Sequence, residues 1–155
     1  MQIAVGSDHR GVEARRKLVE LLEQLGQTVV DCGTDDTGKN VDYPDIGLDV
    51  AQRVGSGDVD RGILICNTGL GMCIVANKIP GARAALCHDV VTAELSRRHN
   101  DLNILCLSAE LFTDKTAEMV LSTWLSTEFE GGRHARRLDK IDQLEKAGSI
   151  CPVEK

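Results

Sequence analysis

Aromatic residues are scarce here: one Trp, one Tyr and two Phe among 155 residues. The core must therefore be built from Leu, Ile, Val and Ala. No apolar run is long enough to span a bilayer. "MQIAVGSDHRG" reaches an acid and a base by its tenth residue, so a signal peptide is not expected either. An excess of positive charge is also missing. The formal net charge is −6, which argues against a nucleic-acid or membrane-surface role. Six cysteines are present, yet none forms a CxxC pair, so zinc ribbons and thioredoxin-type redox motifs have no support. Cys32, Cys87 and Cys106 read as small buried hydrophobes. There is no internal repeat and no low-complexity tract. The chain reads as a cytoplasmic protein with one domain over residues 1–148 and a frayed tail at 149–155.

Short apolar runs alternate with helical patterns. Strands are expected over Gln2–Asp8, Gln27–Gly33, Ile63–Cys66, Ala82–Cys87 and Leu102–Ser108. Their near-continuous apolar character suits a sheet covered on both faces. Helices are expected over Val12–Leu25, from Pro44 to beyond Val54, and over Gly71–Lys78. Three more are expected up to Asn100 behind an Asp89 cap, from Thr113 or Asp114 to Leu125, and over Arg133–Ala147. Gly26, Pro80-Gly81, Gly131-Gly132 and Gly148 punctuate them. This is the pattern of a doubly wound parallel α/β sheet. The last helix has no strand of its own to cover. Its apolar residues Leu138, Ile141 and Leu144 must pack elsewhere, on a partner subunit.

In such folds ligands bind outside the carboxyl ends of the strands. The first strand delivers Asp8 and His9. The third delivers Cys66, Asn67 and Thr68, and the fourth helix ends in His99 and Asn100. An acid, two imidazoles, a thiol and a hydroxyl are thus candidates for one site, with no residue pair at metal-ligand spacing. The loop "NTGLG" adds Gly69, Leu70 and Gly71, whose backbone N–H groups at a helix start favour an anion. Beside a thiol, such groups stabilise thiolate and can hold a developing oxyanion. No GK[ST] follows, so this is not a Walker motif. Arg133 and Arg137 lie four apart on one helix face, a spacing that suits a phosphate.

Five blocks, "GSDHRG", "DYPD", "GILICNTGLGM…ANKIPGARAALC", "LSRRHNDLNIL" and "FEGGRHARRLDKI", occur in order. Together they resemble the ribose-5-phosphate isomerase B family, which also contains the galactose-6-phosphate isomerase subunits. The resemblance implies a Rossmann-like three-layer domain and a homodimer or dimer of dimers with its active site shared between subunits. It implies cofactor-free, metal-free aldose–ketose isomerisation of a phosphorylated sugar, such as ribose 5-phosphate, through an enediolate. By position, Cys66 matches the catalytic base and His99 the residue that opens the sugar ring. Asp8 and His9 match the pair near the ring oxygen and phosphate, and Thr68 to Gly71 the anion-binding loop. Asn100 matches a substrate contact and Arg133 with Arg137 the phosphate clamp. Tyr43 matches a position near the site and carries no assigned role.

Three positions depart from the family pattern. Asn67 stands where Gly is common and is expected to tolerate a left-handed turn. Cys73 stands where Ser is common. Glu110 stands where many relatives carry a phosphate-binding Arg, which leaves the sugar open among pentose, hexose and four-carbon ketose phosphates. The alternative from another class is a non-catalytic sugar-phosphate-binding subunit.

Overall fold

The computed structural model describes residues 1–35, 40–110 and 114–147. Five strands, β1 (Gln2–Ser7), β2 (Thr28–Asp31), β3 (Arg61–Cys66), β4 (Ala84–Leu86) and β5 (Ile104–Ser108), form one sheet in the order β2-β1-β3-β5-β4. All pairings are parallel. Among the described residues six helices connect and flank them: α1 (Val12–Gln24), α2 (Tyr43–Ser56), α3 (Leu70–Ala76), α4 (Val90–Asn100), α5 (Asp114–Ser126) and α6 (Arg133–Ala147). The expected helix start at Thr113, the stop at Gly148 and the tail at 149–155 lie outside the described residues. No helix among the described residues is long and apolar enough to cross a membrane.

Both faces of the sheet are covered, as the strand composition requires. On one face Leu18, Leu22, Ala93, Val120, Leu121 and Trp124 from α1, α4 and α5 pack against Ile3, Val5, Ile63, Ile65, Leu105 and Leu107. On the other, Val50, Ala51, Val54, Met72 and Ala76 from α2 and α3 pack against Ala4, Leu64, Cys66, Ile104 and Cys106. Burying a side chain of Leu or Ile size is worth about 1.5–3 kcal/mol relative to leaving it exposed. α2 comes so close to the sheet that a Cβ on Gly62 would stand 2.8 Å from Val50 Cγ1. Arg15, buried on α1, is answered by Asp31, Asp35 and the Thr34 carbonyl.

Several elements are shorter than the sequence suggests: β2 keeps only Thr28–Asp31, and β5 starts at Ile104 rather than Leu102. For α3 and β4 one side-chain contact accompanies the shortening. α3 stops at Ala76 and β4 keeps only Ala84–Leu86. Between them the Asn77 side chain donates to the Ala84 carbonyl at 2.8 Å and accepts from the Ala84 N–H at 3.0 Å. A side-chain amide thus replaces a backbone partner at the edge strand, a local competition that apolar periodicity does not register.

The chain order reverses between β1 and β3, which makes the crevice at their carboxyl ends the topological switch point. Ser7 pairs with Ile65, so Asp8 and Cys66 leave the sheet side by side.

Candidate active site

Cys66 closes β3 and is buried, 6% exposed. Its Sγ accepts the backbone N–H of Gly69 at 3.1 Å. The loop that makes this contact is held from below: Ser108 Oγ donates to the Asn67 carbonyl at 2.7 Å and the Ala109 N–H to the Cys66 carbonyl at 2.9 Å. Gly69 takes φ +77°, and a Cβ there would stand 2.4 Å from Leu86 Cδ1 and 2.9 Å from the Leu107 carbonyl oxygen. Only glycine fits both the conformation and the space. Asn67 is not among the residues with positive φ, so Gly69 carries the left-handed step expected of Asn67.

The Cys73 N–H closes the first helical bond of α3 onto the Gly69 carbonyl. The N–H groups of Gly71 and Met72 stand before it and have no acceptor within the helix. Thr68 is exposed, and its Oγ1 accepts from the Leu70 N–H at 3.4 Å. The Tyr43 ring lies over Gly71, where a Cβ would approach Tyr43 Cε2 to 2.6 Å. On the β1 side, Asp8 is buried and its Oδ1 accepts from the N–H groups of Arg10 and Gly11 at 3.0 and 3.2 Å. His9 Nδ1 is buried without a hydrogen-bond partner. Glu110 lies at the same mouth, where its Oε2 accepts from Asn67 Nδ2 at 3.3 Å.

The other expected site residues lie elsewhere. α4 runs back from the carboxyl end of β4 to the start of β5, so His99 and Asn100 stand at the amino edge of the sheet. Cys66 pairs with Ser108 at the end of β5, whereas Gly62 pairs with Ile104 at its start. The two groups are separated by the strand length, roughly 16 Å at about 3.3 Å per residue. Within one chain, Cys66, Asn67, Thr68, Gly69, Leu70, Gly71, Asp8 and His9 come together; His99, Asn100, Arg133 and Arg137 form a second group at the opposite edge.

That second group is organised around stacked imidazoles. The His99 and His134 rings lie 4.2 Å apart with an interplanar angle of 3°. Glu130 Oε2 stands 3.5 Å from His134 Nε2 and 4.0 Å from His99 Nε2. Arg98 grips the other Glu130 oxygen from Nε at 2.8 Å and from Nη2, and Arg98 is itself paired with Glu94. Arg133 Nε donates to His134 Nε2 at 3.3 Å. Burial, with His99, Arg133 and Arg137 nearby, holds the His134 pKa below the ordinary histidine value. His99, Glu130 and His134 are, among the described residues, the one group whose donor atoms converge as a cation would require. Arg98 and Arg133 already occupy Glu130 and His134, which makes this surface better suited to an anion.

Nothing in the sequence singles out His134 or Glu130, although both stand within "FEGGRHARRLDKI". Glu130 precedes α6 across Gly131-Gly132, so helical spacing gives no signal for the pair.

Comparison with known proteins defines the class. The chain superposes on ribose-5-phosphate isomerase B of Clostridium thermocellum with a TM-score of 0.93 and 49% identity, over 96% of this chain and 100% of that one. It superposes on ribose-5-phosphate isomerase B of Mycoplasma genitalium with bound ribulose-5-phosphate at a TM-score of 0.89 and 43% identity, over 94% and 96% of the two chains. It is 40% identical to D-erythrulose-4-phosphate isomerase of Pectobacterium atrosepticum, over 94% of this chain and 95% of that protein. Fold and sequence together place the chain among the sugar-phosphate isomerases. It belongs to the ribose/galactose isomerase family, whose pattern matches residues 3–141.

Proposed function

We propose that this isomerase interconverts ribose 5-phosphate and ribulose 5-phosphate through an enediolate, with Cys66 as the base. The observation that carries this reading is the Gly69 N–H aimed at Cys66 Sγ at 3.1 Å. A carbon acid beside a carbonyl is weak, so its conjugate base needs donors aimed at the developing oxygen charge. The unpaired N–H groups of Gly71 and Met72 are such donors, and Thr68 adds a hydroxyl beside them. The Cys66 thiolate takes the proton from C2 of the aldose and returns it to C1, while the hydroxyl proton passes from O2 to O1. Asp8 and His9, one strand away, face the ring oxygen and substrate hydroxyls.

His99 opens the ring, Asn100 contacts the sugar, and Arg133 with Arg137 grips the phosphate. Because these four stand at the opposite edge, a complete site needs a second copy of the chain. We infer a homodimer, or a dimer of dimers, in which the amino edge of one copy faces the Cys66 loop of the other. Leu138 is already buried within the chain, contrary to the expectation that it packs on a partner, whereas Ile141 and Leu144 on α6 remain 42% and 58% exposed, which fits packing of that end of the helix on a partner. Phosphate binding then holds the reacting carbons in register with energy that an uncharged sugar lacks. The proton transfers use the chain's own groups and call for no cofactor. Unpaired thiols at Cys32, Cys66, Cys73, Cys87 and Cys106 fit a cytoplasmic, reducing setting. The domain is taken to run from residue 1 to 148.

A second reading, a four-carbon ketose phosphate as substrate, is favoured by the 40% identity to the D-erythrulose-4-phosphate enzyme and by Glu110 beside Asn67. A coupled assay over four-, five- and six-carbon sugar phosphates, with and without chelator, tests both. Highest kcat/KM on ribose 5-phosphate, insensitive to chelator, supports the first reading. Preference for the tetrulose phosphate supports the second, and turnover lost on chelation contradicts the cofactor-free chemistry.

A further inference from the structure

The ring of His134 does something that the proposed roles of its neighbours do not explain. It is 5% exposed, yet it belongs to no hydrophobic cluster of the sheet. It lies flat on His99, with the centroids 4.2 Å apart and the planes 3° from parallel.

His134 is itself held. Arg133 donates to its Nε2 at 3.3 Å, and Glu130, in the turn that precedes α6, stands with Oε2 3.5 Å from the same nitrogen. Glu130 is locked by Arg98, the residue adjoining His99, and the Glu130 N–H donates to the Arg98 carbonyl at 3.1 Å. The backbone under His99 is fixed as well. Arg97 pairs with Asp101 at 2.8 Å, and Asp101 ends α4 in the left-handed conformation with φ +44°. The Cα of His99 is therefore placed by α4, and rotation of its ring about χ2 is opposed by the ring stacked on its face and by Glu130 Oε2, 4.0 Å from its Nε2. A half-exposed imidazole with nothing on its face samples a broad χ2 distribution. One covered by a buried, braced ring does not.

We propose that His134 is a positioning residue: its stacked ring fixes the plane in which the His99 imidazole meets the sugar ring oxygen. The inference rests on the ring-opening role proposed for His99. The His134 ring needs no contact with substrate and transfers no proton. Its effect falls on the step that uses His99, because its ring covers the face of that imidazole. Misplacing a group that must reach its proton within hydrogen-bond range costs about tenfold to a hundredfold in rate.

The test separates ring opening from carbon-proton transfer. Ribose 5-phosphate is a furanose and must be opened. Ribulose 5-phosphate is acyclic, because the hydroxyl that would close its ring carries the phosphate. Exchange of its C1 proton in deuterated water therefore needs the base and not His99. His134→Ala is expected to lower kcat on ribose 5-phosphate by about tenfold to a hundredfold, with the C1 exchange rate at saturating ribulose 5-phosphate unchanged. His134→Phe, which keeps a flat ring, is expected to restore most of kcat. Unchanged turnover in His134→Ala overturns the proposal. So does a fall in C1 exchange parallel to the fall in turnover, which would mark a general loss of structure. Failure of His99→Ala to slow ribose 5-phosphate turnover would instead remove the ring-opening role, and the positioning role with it.

Discussion

Cys66 and His99 stand at opposite edges of one parallel sheet, Cys66 at the carboxyl end of β3 and His99 just before the amino end of β5. Both hang on connections the fold imposes. A strand in a parallel sheet delivers its last residue to one edge, and the following helix carries the chain back to the other.

This separation gives a complementation test. Cys66→Ala and His99→Ala proteins are each expected to be inactive on ribose 5-phosphate. Mixed and allowed to exchange subunits, they form hybrids in which one site carries both changes and the other carries neither. Random pairing recovers about a quarter of wild-type activity in a symmetric dimer. No recovery in a mixture shown by mass spectrometry to contain hybrids would mean that each chain uses its own Cys66 and His99.

Gly69→Ala should damage both fold and chemistry. A non-glycine residue held in the left-handed region costs about 1–3 kcal/mol, and the added Cβ would press on Leu86 and the Leu107 carbonyl. Thermal unfolding should show a lower Tm, and the surviving folded protein should show reduced kcat. A variant with wild-type Tm and kcat would mean that the loop has another conformation available.

The outer face of α3 gives a third expectation. Leu70 and Ile74 are 57% and 62% exposed, one turn apart, directly after the Cys66 loop. Ile74→Glu, a surface change in a single chain, is expected to shift the protein towards monomer by light scattering and to lower activity while far-UV circular dichroism is unchanged. Full activity from a monodisperse monomer would contradict a site shared between copies.

Cys73 and Cys32 should differ sharply in reactivity. A hydrogen bond from Cys106, reinforced by the Leu86 backbone and the Asn77 side chain, brings the Cys73 pKa down to about 7. Burial, with Asp49 alongside, raises that of Cys32 to about 11. Thiolate is the reactive form. Alkylation of Cys73 should therefore rise through pH 7 and level off above it, while Cys32 stays nearly inert to pH 9. Mass spectrometry of iodoacetamide-treated peptides over a pH series reads both. Equal labelling at pH 7.5 would show that the Cys73–Cys106 contact does not hold its proton on Cys106.

Much of the architecture could be read from periodicity alone. Apolar strands and amphipathic helices such as α1, with Leu18 and Leu22 inward, follow from burial, which is local in sequence and repeats. The Cys66 loop was legible too, because a β-strand ending in a thiol and a glycine turn leaves few geometries. What stayed hidden depended on long-range or side-chain geometry. That His99 stands a strand length from Cys66 follows from the expected parallel fold, since a helix that leaves a strand's carboxyl end returns the chain to the amino edge; the apolar pattern by itself does not register it. The Asn77 amide that shortens α3 and β4 pairs across seven residues. His134 and Glu130 carry no distinctive spacing, one on α6 and the other in the turn before it, and their meaning appears only when α6 docks against the end of α4.

Exchange at the substrate carbon tests the central chemical claim most directly. With ribulose 5-phosphate in deuterated water, wild-type protein should place deuterium at C1. Cys66→Ala should bind the sugar phosphate with nearly unchanged affinity and incorporate none. Deuterium entering C1 at close to the wild-type rate in Cys66→Ala would show that another group removes the proton.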